Sequence, residues 1–149
     1  MKFKHGTRRR AAEYEKDWVQ RWKEDDTFNK SVAQRPADNS WVFYDGPPFL
    51  TGTPHHGHLL VSTVKDTMGR FHTMKGQRVE RRWGWDCHGL PAEVYVEKTL
   101  GISNKKEIGT KISVSDYVKE CRAAMVRTGT EWEDTIERIG RWVEFKGAY

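Results

Sequence analysis

The side chains best suited to chemistry are concentrated in residues 45–58, which read D-G-P-P-F-L-T-G-T-P-H-H-G-H. If a helix begins near His55, then His55 and His58 stand one turn apart at its positive end. Backbone N–H groups there lack intrahelical partners and point outward, which suits a phosphate. Histidines beside that end add hydrogen-bond donors as negative charge grows on phosphorus in a transition state. Gly57 has no side chain, so a flat adenine ring can lie against the backbone. Gly52 and the prolines make a loop able to close over a bound nucleotide. On spacing alone, the competing reading is a His-rich turn with no ligand.

A second group lies in the loop G-W-D-C-H-G-L-P at 84–91. By residue type, Asp86 is as well read as a surface loop charge or a helix cap as it is as a functional carboxylate. Trp83 and Trp85 are read as core rather than as pocket walls. His55, His56, His58, Cys87 and His88 raise the question of zinc, but there is no H-E-x-x-H and no pair of C-x-x-C knuckles, so no metal site is expected. Cys121 fits a small core position better than a nucleophile.

These residues need elements to hold them. Ala11 to Phe28 carries Tyr14, Trp18 and Trp22 at intervals of four and predicts one amphipathic helix. The following NKSVAQRPADNS reads as a polar link. Trp41 to Tyr44, aromatic and β-branched, predicts a short buried strand that stops at Asp45-Gly46-Pro47-Pro48. From His55 to Lys75 the spacing is helical, with Leu60, Val64, Met68 and Phe71 on one face. Thr53 and Pro54 fit an N-cap and first-turn pair, and Gly76 a C-terminal stop. A second strand is predicted at Gln77 to Arg82. Strand, glycine-containing loop, helix and strand make a βαβ unit and a parallel sheet of Rossmann type. Ser115 to Val143 predicts helix, with Val118, Cys121, Met125, Trp132, Ile136, Ile139 and Val143 on one stripe and Gly129 as an interruption.

The 149 residues amount to about one domain. Hydrophobic residues are 36% and charged residues 32% of the chain, polar for a compact domain, although seven Trp exclude a plain disordered tail. A net charge of +5 favours anionic partners such as nucleotides or RNA. Two cysteines form no disulfide framework, which predicts a reducing, cytoplasmic setting. The basic start is followed by no apolar h-region, and no apolar run approaches the roughly 20 residues of a membrane span, so no membrane partner is expected.

H-x-G-H following a first extended run resembles the nucleotide-binding signature of class I aminoacyl-tRNA synthetases. The wider text DGPPFLTGTPHHGHLL, then Lys65-Asp66, RRWGWDCHGLPAE, EKTLGI at 97–102 and TEWEDTIERIGRWVEF at 130–145, is similar to the isoleucine branch of that family. GWDCHGLP is the most specific part, and the likeness runs from about Trp18 to the end. It implies an α/β fold: the first half of a Rossmann-like parallel-sheet nucleotide-binding fold with helical flanks. Residues 1–40 would be a basic arm, helix and linker, and 41–149 a half-domain ending before the editing insertion. The resemblance also implies that His55 and His58 are catalytic and, with Gly57, hold ATP and stabilise the transferring α-phosphate. Gly46 and Pro47 would line the amino-acid pocket and cover the adenylate, and Asp86 would pair with the substrate's α-ammonium. The implied substrates are isoleucine, ATP with Mg²⁺, and tRNA(Ile). The family's lysine-rich second signature does not occur in these residues. Two other readings stay open: a small H-x-G-H nucleotidyltransferase, and a non-catalytic module that binds tRNA or a synthetase partner.

Overall fold

The computed structural model describes residues 8–49, 52–127 and 129–147. Most of the basic arm therefore lies outside the described residues, as do Leu50 and Thr51 of the loop and the side chain of Met125. Among the described residues there are six α-helices: α1 (Ala11–Glu24), α2 (Thr27–Ala33), α3 (His56–Met74), α4 (Leu90–Thr99), α5 (Val114–Arg127) and α6 (Gly129–Arg138).

The single helix predicted from Ala11 to Phe28 is two. Asp26 takes a left-handed φ of 50°, which turns the chain between α1 and α2. The first residues of the predicted link are helical instead, tied locally by Ser31 Oγ donating to Phe28 O at 2.6 Å and Arg35 to Ser31 O at 2.6 Å. A reach of Arg35 Nε to Thr73 O, 2.7 Å, then joins this corner to α3. Along the predicted stripe after Ser115, α6 stops at Arg138, so Ile139 and Val143 are not helical. Val118 and Ile139 are exposed, whereas Trp132 and Ile136 lie at the centre of the core.

No named strand occurs among the described residues, so the predicted sheet is not seen there as a ladder. Its remnant is a set of isolated parallel bridges, Ser40 with Arg78, Phe49 with Asp86 and Arg82 with Glu144. The hydrogen bonds are sound where they form: Trp41 N–H to Arg78 O at 2.9 Å and Trp83 N–H to Glu144 O at 2.9 Å. A continuous ladder fails partly because Pro47 and Pro48 carry no N–H. Trp41 to Tyr44 is not a buried strand either. Trp41 and Phe43 stack on each other, Trp41 also on His72, but Tyr44 is 92% exposed.

The polarity of α3 is inverted relative to expectation. Its predicted apolar face points outward, with Leu60 67% and Phe71 48% exposed. Ser62, Gly69 and Thr73 are buried instead. They face a layer of arginines. Arg81 donates to Thr73 Oγ1 at 2.7 Å, and any Cβ at position 69 would collide with Arg81 Nε. Burial pulls the Arg81 guanidinium down to about 10, which still leaves it charged at neutral pH. Arg70 pairs with Asp66 at 2.6 Å and lies over the rings of Trp22 and Trp142. The α3 helix begins two residues later than Thr53 and Pro54 implied, with His55 as N-cap, and stops as predicted before Gly76 at a left-handed φ of 86°.

The apolar core is elsewhere, among Trp83, Trp85, Val96, Tyr117, Trp132 and Ile136. It joins α4, α5 and α6 to the extended stretch that leads to Asp86. Ile136→Ala should therefore cost about 2–5 kcal/mol, the range for truncating a fully buried aliphatic side chain. Leu60→Ala should stay within about 0.5 kcal/mol. Denaturant unfolding of the two variants checks the contrast; equal losses would mean that α3 buries its apolar face after all.

Candidate active site

The helix start at His55 is built by its own side chains. His55 Nδ1 accepts the Gly57 N–H at 3.1 Å, and the His55 N–H donates to His58 Nδ1 at 3.2 Å. The two imidazoles stack with centroids 3.7 Å apart. This reciprocal cap satisfies N–H groups that a helix start otherwise leaves open. The His55 ring thus stands where a phosphate oxygen would accept from Gly57. Gly57 leaves room for the pairing, since a Cβ there would crowd the His55 ring at 3.0–3.1 Å.

His58 reaches further inward. Its ring lies 4.8 Å from that of Trp132, which α6 delivers and which donates from Nε1 to Gly52 O at 2.7 Å. One indole thereby holds both His58 and the loop before the helix. Next to them is a cavity of about 270 Å³ lined by Gly46, Pro47, His58, Trp83, Trp132 and Arg141, among others. Trp83 is therefore both core and wall.

Asp86 comes to the rim of this site through its backbone. Its N–H donates to Pro48 O at 2.9 Å, so the 84–91 loop lies along the 45–49 loop. Asp86 is partly buried, and its carboxylate accepts a long contact, 3.4 Å, from the His88 N–H. The structure thus gathers Gly46, Pro47 and His58 around one cavity and sets Asp86 beside it. His55 and Gly57 stand outside the cavity, at the exposed helix start. Cys87 neighbours Asp86, and burial, then that carboxylate, push its thiol up, which disfavours the reactive thiolate.

Sequence reasoning missed the charged floor. Asp45 accepts from Lys65 at one oxygen and from Arg141 at the other. Lys65 also donates to Gly46 O at 3.1 Å, and Arg141 to Ser62 Oγ at 3.2 Å. A signal for Lys65 existed: it follows His58 by seven residues, two helical turns, and so shares its face. Nothing local marks Arg141. Among the described residues no group of three or more His, Cys, Asp or Glu is placed to hold a metal ion. None of the described helices is long and apolar enough to cross a membrane.

Burial, and secondarily the charge of His55, holds His58 below the ordinary histidine value of 6.5. A base whose folded pKa is depressed binds fewer protons folded than unfolded, so stability rises with pH across that window. His58 should be neutral at pH 7, and its contribution should fall away as pH drops below about 6.5, the usual histidine value. An imidazole NMR titration checks this; a His58 midpoint above that of an exposed histidine would be contrary to the packing.

Comparison with known proteins bears on what this site belongs to. Residues 17–149 match the family described as tRNA synthetases class I (I, L, M and V). Isoleucine–tRNA ligase of Treponema denticola is 48% identical over 138 residues, 93% of this chain and 12% of that protein. Isoleucine–tRNA ligase 2 of Pseudomonas fluorescens is 47% identical over 88% of the chain and 13% of its own length. The cytoplasmic isoleucine–tRNA ligase of Caenorhabditis elegans is 48% identical over 88% of the chain and 11% of its own length. The chain thus spans about an eighth of these curated relatives. With residues 17–149 matched, the chain belongs to the class I tRNA synthetase family.

Proposed function

We propose that this chain supplies the nucleotide- and amino-acid-binding part of an isoleucine–tRNA ligase, forming isoleucyl-adenylate from isoleucine and ATP and passing isoleucine to tRNA(Ile). The observation that carries the proposal is the shared cavity of Gly46, Pro47 and His58 with Asp86 at its rim. The names of the relatives at 47–48% identity support isoleucine as the amino acid. In this reading residues 41–149 are the first half of a Rossmann-like catalytic domain, and 1–40 a basic arm, helix and linker ahead of it. The parallel bridges and the outward apolar face of α3, which a complete domain would cover, support that division.

The chemistry needs no covalent enzyme intermediate. The isoleucine carboxylate attacks the α-phosphorus of ATP, and the bond to the bridging oxygen breaks to release pyrophosphate. Asp86 would hold the α-ammonium by a charge-assisted contact and so orient the attacking carboxylate. Gly46 and Pro47 would cover the adenylate and keep water away. His58, neutral and backed by Trp132, would donate to an α-phosphate oxygen as charge builds there. His55 would swing off the Gly57 N–H to let a phosphate oxygen accept from it. Mg²⁺ would arrive with ATP and neutralise phosphate charge.

Isoleucine-dependent ATP–pyrophosphate exchange by the full-length ligase bearing these residues tests the proposal. His58→Ala should suppress exchange by about 10²–10³-fold, as for loss of one transition-state donor. Asp86→Asn should cost about 2–5 kcal/mol in kcat/KM for isoleucine, the range for truncating one partner of a buried charge pair, while ATP binding is nearly unchanged. Exchange that depends on leucine or valine instead, or that ignores both substitutions, would overturn it.

A further inference from the structure

Three stretches distant in sequence meet at the carboxylate of Asp45. Asp45 precedes the Gly46-Pro47 loop directly. Lys65 comes from α3, and Arg141 from the segment after α6. The side chains of Asp45, Lys65 and Arg141 are 16%, 21% and 6% exposed, so the pairing is largely shielded from solvent. The Arg141 guanidinium lies 5.1 Å over the Trp83 ring, on the stretch that leads to Asp86.

We infer that Asp45, held between Lys65 and Arg141, is a positioning residue that indexes the adenylate loop to the histidine pair; this rests on the function proposed above. Only one peptide bond separates Asp45 from Gly46, and Pro47 has a fixed φ, so the position of Asp45 is passed on to the loop. The α3 helix is rigid between His58 and Lys65, two turns apart on one face. Lys65 therefore measures the loop against His58, and its second bond, to Gly46 O, does so directly. Arg141 does the same for the Trp83-to-Asp86 stretch. One carboxylate sets the mutual distances of the loop, the histidines and Asp86.

Charge makes the arrangement sensitive. Two cations face one carboxylate, so removing its charge leaves Lys65 and Arg141 repelling each other across the gap. Asp45→Asn keeps the shape and removes the charge; Asp45→Glu keeps the charge. The amide of Asp86, bonded to Pro48 O, reports the loop position without any catalysis. The Leu100 amide, bonded to Val96 O at the end of α4, reports the core.

Hydrogen exchange on the chain should show Asp86 less protected in Asp45→Asn and Leu100 unchanged. In the full-length ligase, kcat for isoleucine-dependent exchange should fall about 10²-fold, the cost of a misplacement near 1 Å, with KM values moving far less. Asp45→Glu should recover much of both. An unmoved Asp86 amide, or loss of protection at Leu100 as well, would overturn the inference, since a local clamp leaves the core intact. If wild type shows no isoleucine-dependent exchange, the proposed function fails, while the two amides still decide the clamp.

Discussion

The organisation of this chain depends on α3 burying its polar face. Ser62, Asp66, Gly69 and Thr73 turn inward and meet cations rather than aliphatic side chains: Arg141 at Ser62, Arg70 at Asp66, and Arg81 and Arg35 at Thr73. Asp66 also accepts the Trp142 N–H at 3.1 Å, which ties the chain after α6 to the helix. Such contacts are modest as net stabilisers, because desolvation offsets the attraction. Removing one partner of the Arg70–Asp66 pair leaves an uncompensated charge, at a cost of about 3–5 kcal/mol where such a pair is buried. They act by excluding other arrangements, and they fix where the N-terminus of α3 stands. The histidine pair follows from that placement.

The apolar core has a different task. Trp132 and Ile136 of α6 pack against Trp83 and Trp85, so the core carries the stretch that ends at Asp86 and the indole that backs His58. Arg70, lying over Trp22 and Trp142, links the α1 side of the molecule to the same layer. Lys23 with Glu137 at 2.6 Å and Arg138 with Glu15 at 3.2 Å hold α1 along α6 on the surface, where ion pairs contribute little. The site is therefore supported from two sides by unlike physics, a polar layer under α3 and an aromatic cluster under the Asp86 loop.

Much of this was legible in the sequence where the determinants are local. The extent of α3, its stop before Gly76 and the burial of Trp83 and Trp85 follow from spacing and residue type. The direction of the α3 face was not legible, because periodicity marks a stripe without saying which layer covers it. The turn at Asp26 was hidden by the even interval of Tyr14, Trp18 and Trp22, which outweighed a single left-handed residue. Strand propensity at Trp41 to Tyr44 gave extended backbone but no ladder, since pairing is a tertiary property. Gly46, Pro47 and His58, singled out by motif, line one cavity. Asp45, Lys65 and Arg141 were not assigned, because their contacts span 20 and 96 residues and leave no local trace.

The central claim is that the histidine pair, the Gly46-Pro47 loop and Asp86 form one site for an isoleucyl-adenylate. Titration of the full-length ligase with a non-hydrolysable isoleucyl-adenylate analogue, followed by hydrogen exchange, addresses it most directly. The account predicts joint protection at residues 46–48, 55–58 and 86, stronger with the isoleucyl than with a leucyl or valyl analogue. Protection confined to the histidines, with residues 46–48 and 86 unchanged, would contradict it.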